Sequence, residues 1–321
     1  MNNHIQHILA AWLPEKDNSD WVAGFVYQTQ GPCYRKTGAL MLFSGDGQQL
    51  GLLSGGCLEA DLMRRARMVM QTQSIQTQRY DASDDNDLSF QLGIGCGGIV
   101  DIVLLPVTKQ NNYLGLVELI ESLQARTTLR YQLNFEPPLA ITSAKVEPAE
   151  TKFKNHCSDQ QLAIYCEPLT HLLIVGGGID ARPLAQLAVD LGWLVSLCDP
   201  RPANARAEHF QSSTKVTRDI DSLSTYCQQE SINAAVVMSH SISMDAAALA
   251  QLQLVSLNYL ALLGPTHRKQ QVLEAAELHD GDFSCDLFGP AGFDIGGELP
   301  ESIALSILAQ CHAELEGKRL N

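Results

Sequence analysis

Apolar residues recur at Ile5, Ile8, Leu9 and Trp12, the spacing of one helical face, so residues 4–12 are expected to form a short amphipathic helix. Strand-like apolar runs follow at 21–27, 39–43 and 49–53, and Ser44-Gly45-Asp46-Gly47 between the last two is a hairpin turn signal. Beyond Leu53 comes Ser54-Gly55-Gly56-Cys57-Leu58-Glu59, and then a helical pattern through Leu58, Leu62, Ala66 and Met70. An acidic loop at 81–87 precedes a second glycine cluster, Gly93-Ile94-Gly95-Cys96-Gly97-Gly98. Residues 99–105 read as a buried strand and 113–123 as a helix. From Arg130 to Pro168 the pattern turns polar, with prolines and two alternating strand-like pieces, and is read as a hairpin and connector ending near Pro168.

The second half alternates between two periods. Strands are expected at 172–175, 194–199, 234–239 and near 258–263, with helices at 183–191, 245–254 and 300–310. Strands alternating with helices of this length imply a parallel, doubly wound sheet. The expected fold is therefore α/β, with a Rossmann-like doubly wound parallel sheet in residues 169–321 and an α/β, mixed-sheet domain in residues 1–168.

Composition narrows the partners. The chain has 321 residues and a formal net charge of −14, so free nucleic acid and anionic membrane surfaces are repelled over most of its surface. No apolar run is long enough to cross a bilayer, and the first twenty residues lack a basic region and a cleavage site. The nine cysteines are scattered without a CxxC pair, which points to the reducing cytoplasm and away from a disulfide framework or a structural zinc site. A phosphorylated ligand would have to be held by local devices: backbone amides, helix N-termini or single arginines.

One such device is Gly176-x-Gly178-x-x-Ala181, directly after a strand and before a helix. The first glycine permits the tight turn and the second lets a phosphate approach the backbone. Asp199 closes the following strand, where a carboxylate accepts a ribose hydroxyl in NAD-binding domains. Two residues weaken plain NAD binding: Asp180 places a carboxylate in the first helical turn, and Arg201 favours a further phosphate. An NAD(P)-dependent oxidoreductase is one reading of this half.

The first half carries different chemistry. Gly55, Gly56 and Cys57 lie at an expected helix N-terminus, where free amides and the helix dipole favour a thiolate. Cys96 sits among Gly95, Gly97 and Gly98, a loop that exposes amides and admits a ligand. Cys33, Cys166, Cys198, Cys227, Cys285 and Cys311 read as small buried hydrophobes. Arg35 is a candidate cation for the first loop. His240 ends an apolar strand at the ligand-binding edge, and His267 and Arg268 form a second candidate phosphate clamp.

These stretches resemble the XdhC/CoxI family of xanthine dehydrogenase accessory proteins. The resemblance runs through GLLSGGCLEADL (51–62), LGIGCGGIVDIVLLP (92–106), the glycine loop to Pro202, VVMSH (236–240), LLGPTHRKQ (262–270) and GPAGFDIGGELPESIALSILAQ (289–310). It implies an XdhC-type N-terminal domain and a chaperone without established turnover. Its cargo would be the molybdenum–molybdopterin cofactor, protected while a cysteine desulfurase installs the sulfido ligand. The cofactor would then be inserted into a molybdenum hydroxylase apoenzyme. The resemblance carries Gly55, Gly56, Cys57 and Glu59 into the first loop, Gly95, Cys96 and Gly97 into the second, and Asp294 into the DIG signature. It also implies a homodimer.

Overall fold

The computed structural model describes residues 3–56, 58–81, 98–136, 140–158 and 161–318. Cys57 and the stretch 82–97, with the acidic loop and Gly95, Cys96 and Gly97, lie outside them. The chain divides into two compact units, Met1–Pro168 and Leu169–Asn321.

The N-terminal unit opens with α1 (Ile5–Trp12), then β1 (Trp21–Gln30), β2 (Leu40–Ser44) and β3 (Gln49–Gly51). Helix α2 (Glu59–Thr72), β4 (Gln76–Asp81), β5 (Ile99–Val107) and α3 (Leu116–Gln124) follow. These strands form a five-stranded sheet in the order β3-β2-β1-β5-β4, antiparallel in every pairing. Alternation along the strands divides the side chains between two cores. Val22, Met41, Phe43, Ile102 and Leu104 pack with Leu62, Ala66 and Val69 of α2. Ala23, Phe25, Leu42, Val103 and Leu105 pack with α1 and α3 on the other face.

The stretch expected to be a hairpin and connector is a second sheet. Its strands β6 (Leu129–Glu136), β7 (Ala140–Pro148), β8 (His156–Cys157) and β9 (Gln161–Cys166) run in the order β7-β6-β9-β8. Leu129, Tyr131, Leu133, Leu162, Ile164 and Cys166 alternate inward and join the core of α1 and α3. The polar residues between them are the outward half of a period-two pattern, which is why the segment looked like linker.

In the C-terminal unit, β10 (His171–Val175), α4 (Ala181–Asp190), β11 (Leu194–Cys198), β12 (Lys215–Thr217) and α5 (Leu223–Glu230) come first. Then come β13 (Ala234–Val237), α6 (Ile242–Leu252), β14 (Tyr259–Leu262), α7 (Thr266–Ala276), β15 (Leu287–Phe288) and α8 (Pro300–Leu315). All six strands are parallel, in the order β12-β11-β10-β13-β14-β15. This is the Rossmann order, with its switch point between β10 and β13. Strands β10, β13 and β14 are buried along their whole length, as strands covered on both faces must be. Helices α5, α6 and α7 pack on one face and α4 and α8 on the other. Among the described residues, no helix is long and apolar enough to cross a membrane.

Candidate functional site

The antiparallel register decides where the N-terminal glycine loops emerge. Gln30 at the end of β1 pairs with Ile99 at the start of β5, and Asp81 at the end of β4 pairs with that same Ile99. Gly51 at the end of β3 pairs with Met41 near the start of β2. The turn holding Arg35, the Ser54–Gly56 loop and both flanks of the 82–97 stretch therefore issue from one end of the sheet. Strands β3 and β5 are three inter-strand spacings apart, so the two loops start roughly 14 Å from each other.

Ser54 organises the first loop. Its hydroxyl oxygen accepts the Gly56 N–H at 3.2 Å and the Leu58 N–H at 3.1 Å, and donates to Glu59 Oε2 at 2.7 Å. The Ser54 N–H donates to Glu59 Oε1 at 3.0 Å. Glu59 is thus a buried clamp on the loop's own backbone, with both carboxylate oxygens engaged, rather than a group turned to a ligand. The clamp leaves Gly55 and Gly56 facing outward. A Cβ on either would meet nothing within 4 Å, and Gly56 has a φ of +107°, which demands glycine. Ser54→Ala removes three of these hydrogen bonds and should cost about 1–2 kcal/mol. Chemical denaturation of the full chain measures that loss.

The second loop is anchored at its described end. A Cβ on Gly98 would lie 2.3 Å from the Pro32 carbonyl oxygen and 2.8 Å from Cys33 Sγ, so the backbone there presses on the turn that leads to Arg35. The Arg35 Nε is buried and has no partner among the described residues, and burial pulls its guanidinium below the ordinary value. A desolvated cation with an unanswered donor calls for an anion.

The remaining described thiols do not compete for this chemistry. Burial pushes Cys166, Cys198 and Cys227 up to about 12 and Cys285 up to about 11, and it raises Cys311 as well. Cys33 and Cys157 are only half-buried. Cys33 Sγ lies 3.2 Å from the Ile99 carbonyl oxygen.

In the C-terminal unit, the parallel strands bring Gly176 to Gly178, Asp199, Arg201, His240 and the loop after β15 to the carboxyl edge. Gly176 has a φ of +110°, and a Cβ there would lie 2.5 Å from Ser239 Cα, so the loop crosses the switch point against the end of β13. A Cβ on Gly178 would meet nothing within 4 Å, leaving that backbone open to a ligand.

Asp199 does not face a ribose. It is completely buried, and it accepts from the Gly177 N–H at 2.8 Å, Arg201 Nη2 at 2.7 Å and Asn204 Nδ2 at 3.3 Å on one oxygen. Its other oxygen accepts the Arg201 N–H and Nε, both at 2.9 Å. Five donors saturate a carboxylate that offers about four lone-pair sites. Arg201 is drawn onto Asp199 through Nε and Nη2 rather than held out toward a further phosphate. Sequence shows both residues but not that they face each other.

Burial alone would raise the Asp199 carboxyl, but the donors from Arg201, Gly177 and Asn204 outweigh it and hold it below the usual range. A depressed native value stabilises fully above the unfolded value near pH 4, and the contribution is lost as pH falls through the depressed one. Asp199→Asn should therefore flatten the acid limb of the stability–pH curve below about pH 4. Urea denaturation at successive pH values reads this slope.

His240 adopts a left-handed backbone, φ +61°, and its Nε2 lies 2.9 Å from Asp180 Oδ2. This contact bridges the crevice from the end of β13 to the start of α4. Asp180 thus puts its carboxylate over the helix N-terminus where a pyrophosphate would sit. Asp294 is exposed on a loop pinned to α8 by the Gly292 N–H to Gln310 Oε1 at 2.9 Å and by Ser306 Oγ to the Phe293 carbonyl. Arg268 is not a free clamp. It donates to Asp245 Oδ2 at 2.5 Å and to the Leu263 carbonyl at 3.2 Å. Asp245, buried and outside every motif in the sequence, also accepts from the Ser239 N–H at 3.1 Å.

The first glycine loop and the Rossmann edge fall within known family patterns. The family model described as the XdhC Rossmann domain matches residues 172–311, and that of the XdhC and CoxI family matches residues 16–81. The chain belongs to the XdhC/CoxI family. It is 29% identical over 313 residues to a Bacillus subtilis protein named as a probable xanthine dehydrogenase subunit, covering 92% of this chain and 93% of that one. It is 22% identical to the Escherichia coli molybdenum cofactor insertion chaperone PaoD, over 88% of this chain and 80% of PaoD. A Bacillus halodurans crystal structure described as a xanthine dehydrogenase superposes with a TM-score of 0.83 at 26% identity, covering 98% of this chain and 97% of that one.

Proposed function

We propose that this XdhC/CoxI protein is a molybdenum cofactor chaperone. It binds molybdenum–molybdopterin as cargo, protects it while a cysteine desulfurase installs the sulfido ligand, and inserts it into the apo form of a xanthine dehydrogenase- or aldehyde oxidase-type hydroxylase. It works in the cytoplasm, as the cysteine usage suggests, and as a homodimer, as the family resemblance implies. The observation that carries the reading is the emergence of both glycine–cysteine loops and the Arg35 turn from one end of one sheet, in a chain related to a named insertion chaperone.

The parts suit the cargo's chemistry. Molybdopterin offers a phosphate and a dithiolene-bound molybdenum. Arg35, whose Nε has no partner among the described residues, and the open backbone at Gly55 and Gly56 offer an anion a place to bind. Thiolates at Cys57 and Cys96 are soft donors suited to molybdenum or to a sulfur-transfer partner. In the other unit, the saturated Asp199 and the Asp180–His240 contact oppose the NAD(P)-dependent oxidoreductase reading.

Cys57→Ala and Cys96→Ala should each weaken retention of molybdenum cofactor by at least about tenfold, the loss of one strong contact. Anaerobic loading, gel filtration and pterin fluorescence of the protein peak measure this. Unchanged retention by the double variant removes the cysteines from the site.

A further inference from the structure

The outer face of the second N-terminal sheet carries a cluster that its core does not explain. Leu129 and Tyr131 of β6 and Ile164 and Cys166 of β9 turn inward, so Arg130 and Tyr165, paired in the register between them, turn outward. Phe153, three residues before β8, packs against both. The Arg130 guanidinium lies over the Phe153 ring, 4.8 Å from its centre, and the Tyr165 ring meets Phe153 nearly edge-on at 5.3 Å. The exposed His156 ring is also edge-on to Phe153, at 6.1 Å. Phe153 and Tyr165 are half-buried and belong to none of the hydrophobic cores of the described residues.

The tyrosine is fixed in place, whereas the arginine has donor capacity left over. Tyr165 Oη donates to Glu167 Oε1 at 3.1 Å, and Glu167 lies 3.5 Å from Lys152 Nζ. Asn155 Oδ1 accepts the Tyr165 N–H at 2.7 Å. The Arg130 Nε is buried without a hydrogen-bond partner among the described residues. Glu147 is its neighbour on β7 in the register, but among the described residues no ion pair joins the two. A planar cation with an unused donor, set among aromatic rings, suits a flat ring that carries an acceptor.

The same asparagine joins this cluster to the Arg35 turn. Asn155 Nδ2 donates to the Thr37 carbonyl at 3.1 Å, and a Cβ on Gly38 would lie 2.5 Å from that Nδ2. Thr37 is two residues beyond Arg35, and Asn155 is two beyond Phe153. The rings and the turn therefore stand side by side.

We propose that Arg130, Phe153 and Tyr165 form a stacking platform for an aminopyrimidinone ring, the flat end of a ligand whose anionic end goes to Arg35. This deepens the cargo reading, on which the choice of ring rests. Two sources share the chemistry, a pterin and a guanine base: each offers a π face to the platform and a ring carbonyl to Arg130. Titration calorimetry of the full chain with 6-hydroxymethylpterin, guanosine and adenosine, none of which carries a phosphate, separates them. The pterin or guanosine binds, and adenosine, which lacks the carbonyl, binds at least about tenfold more weakly. Phe153→Leu weakens binding about 5- to 100-fold, and Phe153→Trp, which restores a ring, keeps it. Arg130→Lys, which keeps the charge and loses the plane, also weakens it. Preference for the pterin identifies the first source and preference for guanosine the second. Unchanged thermal transitions show that the variants fold. The proposal is overturned if neither ring binds at up to about 1 mM, if adenosine binds as tightly, or if Phe153→Leu and Arg130→Lys both leave Kd unchanged. Cofactor retention after anaerobic loading is read separately. Retention undiminished in Phe153→Leu overturns the platform and leaves the cargo reading standing. Ring binding by a chain that retains no cofactor supports the platform and removes the cargo reading.

Discussion

Replacing Arg268 with alanine is expected to cost the C-terminal unit about 3–5 kcal/mol of stability, because it strands a buried charge. Asp245 is completely buried, and Arg268 is 15% exposed at the pair. The pair ties α6 to α7, and through the Ser239 N–H it ties both to the end of β13. Without the guanidinium, the carboxylate keeps only its Ser239 partners. Burying a carboxylate that has lost its counter-charge costs far more than the pair contributes while intact. Arg268→Ala combined with Asp245→Asn should therefore recover part of the loss. Urea denaturation of the three proteins checks this, and a single variant as stable as the double would show that the pair is idle.

The second large effect belongs to Gly176. Gly176→Ala forces a side chain onto a φ of +110° and into the Ser239 backbone at 2.5 Å. Left-handed strain costs roughly 1–2 kcal/mol and the overpacking about 1–3 kcal/mol more, so a loss near 3–4 kcal/mol is expected. Gly178→Ala is the internal control, since its Cβ would meet open space and stability should change by less than about 0.5 kcal/mol. The two glycines of one motif thus separate. Gly176 is required by the fold, whereas Gly178 leaves room for a ligand. Equal destabilisation by both substitutions would contradict that division.

The parallel sheet was legible because β10, β13 and β14 are short, continuous apolar runs, and β10 and β14 run into Gly176 and Gly264. Strand β12, Lys215–Thr217, was not, because a three-residue edge strand with an exposed lysine and valine carries no period. Helix α7 was hidden for a related reason. Of its eleven residues only Val272 and Leu273 are buried, so the polar stretch THRKQQ shows no apolar stripe. Strands β6 and β9 were visible only as alternation, and their contribution to the core needed the sheet to be assembled.

The open backbone at Gly55, Gly56 and Gly178 was legible in the sequence, the disposition of the charges less so, and Cys57 and Cys96 lie outside the described residues. Position singles out Glu59 and Asp199 as ligand contacts, but their carboxylates turn inward onto Ser54 and Arg201. The direction of a short side chain depends on neighbours that no spacing rule names. Asp245 carried no motif at all. Its importance comes from Arg268, 23 residues on, and only the folded sheet edge brings the two together.

The most direct test of the chaperone reading is the mass spectrum of small molecules released when the protein, purified anaerobically from cells making molybdenum cofactor, is denatured. The account predicts a released pterin, lost from the Cys57→Ala, Cys96→Ala double variant. Release of a nicotinamide dinucleotide without any pterin would contradict it.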